Sequence, residues 1–360
     1  MVASVAGPQL FQCLQCRAAI SHSRSVTLTA EMAVQRRDFL KSIGGAAAAW
    51  PLAARAQQPD RIARVGYLRL SPTARIQLFD DAFREGLRDL GYVEGRNIRI
   101  EYRSSEGDED RLFALAKELI ALNVDVIVTY ATGVPAARHA SSTIPIVMAT
   151  YNDAVAVGLV ASLAHPGGNV TGSTFFAPEL MAKRIELLKE IVPSMSRAGV
   201  LLLRRDDTAA TVKTVEVMEA TAKELRVELH PIEVREPREY AGAFSAWSDR
   251  RIDALVVLDH AQFITNAEAI TALARQYRFP SIGPLELPTA GGLIGYGVNF
   301  AVMFRRAAAF VDKILKGAKP SEIPVEQATQ FKSVINLKTA KALGLDMPTS
   351  LFLRADEVIE

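Results

Sequence analysis

The feature that most constrains this chain is an alternation of two apolar periods, which starts near residue 61 and runs for more than two hundred residues. Short continuous apolar runs, the mark of strands buried on both faces, are each followed by a stretch whose apolar residues recur every three or four positions, the mark of a helix face. Residues 62–68 read as a strand, and 76–90 as a helix whose face carries Phe79, Phe83, Leu87 and Leu90, with Gly91 as its stop. The spacing then predicts strands at 97–102, 126–130 and 144–148 separated by helices at 109–122 and 134–140. A short helix at 159–164 follows, ended by Pro166-Gly167-Gly168. A second series has helices at 178–191, 208–225, 240–250 and 266–277 between strands at 199–203, 227–231, 254–258 and 280–282. Units of this kind in series close into mostly parallel sheets covered by helices on both sides.

Two such series predict two three-layer α/β lobes with mostly parallel sheets and a ligand cleft between them. The punctuation at 170–174 marks the boundary. The tail is too fragmentary for a third domain: a glycine-rich strand at 291–297, a helix at 300–316, a strand at 331–335 and a short helix at 337–343. It must complete the existing lobes. The first lobe is therefore expected at 61–172, completed by 297–325, and the second at 173–296, completed by 326–360. Such a return requires hinge strands. Gly168 and Gly172, in the turn that links the lobes, are the hinge candidates, because glycine reaches dihedrals closed to other residues; a purely structural use in that turn is the alternative.

Ahead of the lobes, 1–56 reads as an extension and a cleaved export signal. Arg36-Arg37-Asp38-Phe39-Leu40-Lys41 precedes an uncharged apolar stretch, and Ala54-Arg55-Ala56 offers a small-x-small processing site. The 13 residues from Ser42 to Ala54 are fewer than the roughly 20 a spanning helix needs. Cleavage before Gln57 and a periplasmic mature chain are expected, by the twin-arginine route or an ordinary secretory one, with Met1 or Met32 as the start. Those 56 residues hold six of the 42 Lys and Arg and two of the 40 Asp and Glu, so their removal turns a net charge of +2 into −2. A nucleic-acid partner loses its electrostatic basis. Cys13 and Cys16, the only cysteines, leave with the extension.

In open parallel sheets a ligand sits beyond the carboxyl ends of the strands. Following each strand to its end nominates Ser71, Thr73, Thr132 and Gly133, where helix N-termini offer N–H groups to a carboxylate; helix capping is the alternative use of Ser71 and Thr132. Asp153 and Asp259 directly follow apolar runs, where a carboxylate needs solvent, a partner or a ligand, and they are the candidates for an amine. Structural capping is the alternative for Asp259. Tyr130, Tyr151 and Tyr296, with Phe263, are the candidates for a flat apolar wall.

Catalytic and metal motifs are weak. Gly291-Gly292-x-x-Gly295 lacks the strand-then-helix setting of a phosphate loop. His139, His165, His230 and His260 are too scattered for a metal cluster. No Gly-x-Ser-x-Gly elbow accompanies Asp259-His260. No cofactor, no metal and no enzymatic activity are expected.

Arg64-Val65-Gly66-Tyr67-Leu68, the stretch Gly158 to Gly172 with its Leu163-Ala164-His165-Pro166-Gly167-Gly168-Asn169-Val170-Thr171-Gly172, Ile314 to Pro320 and Asn336 to Gly344 resemble the substrate-binding proteins of ABC importers, in the branch whose members bind tryptophan or tyrosine. The likeness spans about 61–360 and implies the periplasmic-binding-protein fold of the first type. It also implies capture of a small organic solute, an amino acid or aromatic carboxylate, by lobe closure, with a membrane permease and its ATPase as partners of a monomeric chain. Two positions depart from the family pattern: Asp153-Ala154 stands where Asp-Pro is common, and His165 where arginine is. A periplasmic sensor for a signalling receptor uses the same cleft, and a cleft enzyme ranks below it.

Overall fold

Two sheets carry the architecture, and each draws strands from distant parts of the chain. The computed structural model describes residues 62–70, 73–204, 209–328 and 330–360; the export segment 1–56 and Ser71 lie outside them. The first half runs β1 (Ala63–Arg69), α1 (Ala74–Asp89), β2 (Ile98–Ser104), α2 (Leu112–Ala121), β3 (Val126–Thr129), α3 (Gly133–Ala140), β4 (Ile146–Met148) and β5 (Val170–Thr174). The second half runs α4 (Ala177–Ile191), β6 (Arg197–Leu203), α5 (Ala209–Glu224), β7 (Glu228–Val234), α6 (Tyr240–Asp249), β8 (Ala254–Val257), α7 (Ala261–Thr265), α8 (Ala267–Gln276), β9 (Ser281–Gly283) and β10 (Ile294–Val298). The tail adds α9 (Phe300–Leu315), β11 (Glu326–Gln327), β12 (Phe331–Asn336), α10 (Leu337–Leu343), α11 (Thr349–Arg354) and β13 (Glu357–Ile359).

The first sheet has the order β11-β5-β4-β3-β1-β2 and is parallel throughout. The second, β13-β12-β10-β9-β8-β6-β7, is parallel except where β10 meets β12. These are two α/β regions of the doubly wound kind, in which strand order reverses beside β1 and beside β6. β3 and β8 are buried at every residue, as strands covered on both faces must be.

α9 shows how the tail completes the first region. Asn299 caps it by accepting from the Val302 N–H, and Phe300, Met303, Phe304, Ala307, Val311 and Ile314 form one buried stripe at helical spacing. That stripe packs against α1, and Gly86 permits the approach, since a Cβ there would sit 2.4 Å from the Arg305 carbonyl oxygen. β11 pairs with β5, so residues 326–327 lie in the first sheet although they begin the segment expected to complete the second lobe.

The backbone passes between the two regions three times: after β5 at Phe175–Phe176, before α9 at Asn299, and between β11 and β12. Gly168 and Gly172 lie at none of these passages. Gly172 sits inside β5 at φ +131°, and a Cβ there would meet the Met148 carbonyl oxygen at 2.1 Å, so this glycine serves strand packing. Asn169 donates to the Ser141 and Ile144 carbonyls at 2.9 and 2.7 Å, fixing the entry to β4 and β5.

One expected helix is absent. Residues 159–164 form bends and turns rather than a helix. Gly158 takes φ +70°, Asp153 accepts from the Ala156 N–H at 2.9 Å, and the Ala161 N–H turns to the Pro166 carbonyl, which closes a loop where an i to i−4 ladder would be needed.

Candidate functional site

The strand ends of the two regions face a shared cavity. From the first region it is lined by Tyr130, Ala131 and Thr132 after β3, Thr150, Tyr151 and Asn152 after β4, and Phe175 after β5. Ile76 and Phe79 from α1 and Phe300 and Phe304 from α9 close that side. The second region supplies Asp259, His260, Ala261 and Ile264. About 110 Å³ is open to the centre of a water molecule.

One wall is aromatic. The Phe79 ring stacks on Phe304 at 5.1 Å and meets Phe300 edge-on at 6.0 Å, while Tyr130 and Phe175 approach Phe304 and Phe300 edge-on at 5.2 and 5.7 Å. Offset and edge-on rings hold one another in place, so the wall is built before any ligand arrives. Burial pushes the Tyr130 hydroxyl well above the ordinary tyrosine range, and its oxygen accepts from the Leu70 N–H at 3.4 Å. It stays a neutral polar group. Ala131 beside it takes φ +46°, a left-handed conformation that costs an alanine about 1 kcal/mol, held by its N–H to the Thr150 carbonyl and its carbonyl to the Val134 N–H.

The opposite wall is polar and centred on a buried ion pair. Arg184 of α4 is fully buried. It donates from Nη2 to Asp259 Oδ1 at 2.9 Å, from Nη1 to the Val257 carbonyl at 3.0 Å and from Nε to the Tyr296 carbonyl at 2.7 Å. Asp259 Oδ2 lies 2.8 Å from Nη1, close enough for charge attraction but out of line for a hydrogen bond, and it has no hydrogen-bond partner. Gly297 on β10 leaves room for this contact, since a Cβ there would approach Nη2 at 3.1 Å. Thr150 Oγ1 and His260 Nε2 are likewise buried and unpartnered. Glu109 Oε1, from the first region, is also buried without a hydrogen-bond partner and lies 3.7 Å from His260 Nε2. Buried polar atoms left open at one cavity are costly unless something else completes them.

The cavity therefore brings together Tyr130, Thr132, Tyr151 and Asp259. Thr132 makes no capping bond at the start of α3, so its side chain is not spent on the helix. Thr73 is spent: it caps α1 by accepting from the Ile76 N–H and does not line the cavity. Gly133 is packed, with its N–H on the Tyr130 carbonyl and Thr129 Oγ1 2.1 Å from where a Cβ would stand. Asp153 faces a separate groove with Val155, Phe176 and Glu179, and caps the turn at Ala156. Tyr296 stacks on Phe331 at 6.0 Å, outside the cavity. Sequence reasoning missed the phenylalanines, whose helical spacing reads as core, and Arg184, which meets Asp259 only through the fold. Among the described residues no group of His, Cys, Asp and Glu is placed to hold a metal, and no helix is long and apolar enough to cross a membrane.

Two α/β regions with a small-molecule cavity between the carboxyl ends of their strands define a two-lobed solute-binding protein. The chain belongs to the ABC transporter substrate binding protein family, whose model matches residues 74–359. It is 26% identical over 284 residues to the tyrosine-binding protein of Clostridioides difficile (strain R20291), covering 76% of this chain and 80% of that protein. Among solved structures it is similar to an ABC domain in complex with L-Trp from Streptococcus pneumonia and to a conserved domain protein from Vibrio cholerae. Each has 26% identity and a TM-score of 0.77, covering 83% of this chain and 100% of the other. The family is one of binding proteins, not catalysts, which work outside the cytoplasm with a membrane permease and an ATPase.

Proposed function

We propose that this protein captures a small α-amino acid with an aromatic side chain and delivers it to an ABC importer by lobe closure. The observation that carries the reading is the division of one cavity into a ring wall of Phe79, Phe175, Phe300 and Phe304 and a polar wall with open atoms on Thr150, Asp259 and His260. Shape and dispersion would hold the side chain, while Thr132 and Thr150 receive the carboxylate and Asp259 Oδ2 the ammonium. Tyr130 and Tyr151 flank the ring. Arg184 already matches the Asp259 charge, so the ammonium gains a directed hydrogen bond there rather than a lone counter-ion. The relatives named for tyrosine and L-Trp support this class of solute.

Closure turns binding into a changed outer surface, which a permease can read. We further propose that residues 1–56 direct export and are removed, which sequencing of the mature N-terminus in the native host would check, with Gln57 expected first. For the ligand, a thermal-shift screen of amino acids, aromatic acids and nucleosides followed by calorimetry is the test. L-tryptophan or L-tyrosine should bind at one site and be recovered unchanged; saturable binding confined to nucleosides, or conversion of the bound compound, would overturn the proposal.

A further inference from the structure

His260 begins α7, and its ring does two separable things. Nδ1 accepts the Gln262 N–H at 3.2 Å, which caps the helix. A nitrogen that accepts has its lone pair in the ring plane and carries no proton, so in the neutral ring the proton must sit on Nε2. That Nε2–H is buried and has no hydrogen-bond partner, in a side chain that lines the solute cavity and is 9% exposed. The Phe263 ring packs edge-on to the imidazole at 5.9 Å and helps hold its plane.

Glu109 Oε1 on the first region stands 3.7 Å from Nε2, too far for a hydrogen bond, and Asp259 next in sequence is turned to Arg184. On α1, which packs against α7, Asp80 is engaged by Tyr67 and Arg69 at 2.7 and 2.6 Å. Nε2–H therefore makes no hydrogen bond within the chain, and Glu109 Oε1, also without a hydrogen-bond partner, is its nearest acceptor. We propose that His260 is a ligand-contacting residue, donating Nε2–H to an acceptor oxygen of the solute. This rests on the cleft-binding reading above and sharpens it: with Asp259 Oδ2 as an open acceptor one residue away, the second lobe presents a donor beside an acceptor. The complement is a solute whose acceptor oxygen lies beside a donor group, as the carboxylate and ammonium do in an α-amino acid. An aromatic acid without the amine answers only half of it.

The test uses the full chain and two kinds of readout. Long-range ¹H–¹⁵N correlation of the imidazoles at about pH 8, where an ordinary imidazole is neutral, should show His260 as the Nε2–H tautomer without ligand; an Nδ1–H tautomer overturns the proposal. The His260→Asn variant keeps a side-chain oxygen that can cap α7 but withdraws the donor. It should keep the wild-type melting temperature and bind L-tryptophan about 10- to 100-fold more weakly, the size of one buried hydrogen bond to a charged group. His260→Gln, whose amide reaches nearer to the Nε2 position, should stay within about threefold of wild type. Equal affinity of His260→Asn and wild type, or equal loss in both variants at unchanged stability, refutes the donor role. If wild type binds neither L-tryptophan nor L-tyrosine, the amino-acid reading fails on its own, and the tautomer still decides the state of the His260 donor.

Discussion

The two sides of the cavity are made by different physics. The first region contributes eleven residues from five places in the chain, mostly rings and aliphatic groups that also belong to its hydrophobic core. The second contributes one short stretch, 259–264, whose key carboxylate is held by an arginine 75 positions earlier in the chain. One side is shaped by packing and would be hard to alter without loosening the lobe. The other is set by a few directed contacts that can be altered one at a time, and it is where discrimination between solutes should reside.

The largest expected effect lies on the polar side. Removing Arg184 by Arg184→Ala leaves the Asp259 charge buried and alone, which should cost about 3–5 kcal/mol of stability in a denaturant titration. The double variant Arg184→Met with Asp259→Leu should regain most of it. A single variant within 1 kcal/mol of wild type would mean that water reaches this pair, contrary to its burial. On the ring side, Phe300→Leu should cost about 1–1.5 kcal/mol in stability and weaken L-tryptophan about threefold to tenfold through the lost ring contact. If that variant alters stability alone, the wall is only core.

Thr150 tests the comparison from within. Its Oγ1 is buried and unpartnered, so Thr150→Val should leave the ligand-free protein as stable or up to about 1 kcal/mol more so, while amino-acid affinity falls. A stability loss instead would show the hydroxyl to be satisfied in the free protein.

The smallest effect concerns the passage back to the first sheet. Glu326 on β11 is joined to Arg306 of α9, whose hydrogen bonds hold its carboxyl below the ordinary value of 4.5. A lowered carboxylate contributes stability above its unfolded value and loses it as pH falls through the folded value. Arg306→Met should therefore flatten the acid limb of the stability curve below about pH 4.5 and change little at pH 7. An unaltered acid limb would show that solvent screens this half-exposed pair.

How much of this was legible in the sequence follows the same division. The alternation of strand and helix periods is local, and it exposed both α/β regions and the long tail helix. Tyr130, Thr132, Tyr151 and Asp259 were reachable because they follow strands, and strand ends face the cleft. Phe79, Phe300 and Phe304 were not, because a residue that lines a cavity and one that fills a core have the same spacing on a helix. Thr73 and Asp153 looked free until their caps at Ile76 and Ala156 were seen. β11 has two residues and no pattern to read, so the third passage between the regions had no sequence signal. His260 lies in the stretch 259–263 after a strand, which points it to the cleft, but which ring nitrogen is left to donate is set by a single backbone bond at Gln262, and that depends on where α7 starts.

The central claim, capture of an aromatic amino acid by closure of two lobes, is tested most directly by small-angle scattering titrated with L-tryptophan on the exported protein. The account predicts a saturable fall in radius of gyration that ends at one ligand per chain, with the amino acid recovered unchanged. A scattering curve that stays the same while calorimetry reports tight binding would contradict closure, and the absence of saturable binding of both L-tryptophan and L-tyrosine would contradict the assigned solute.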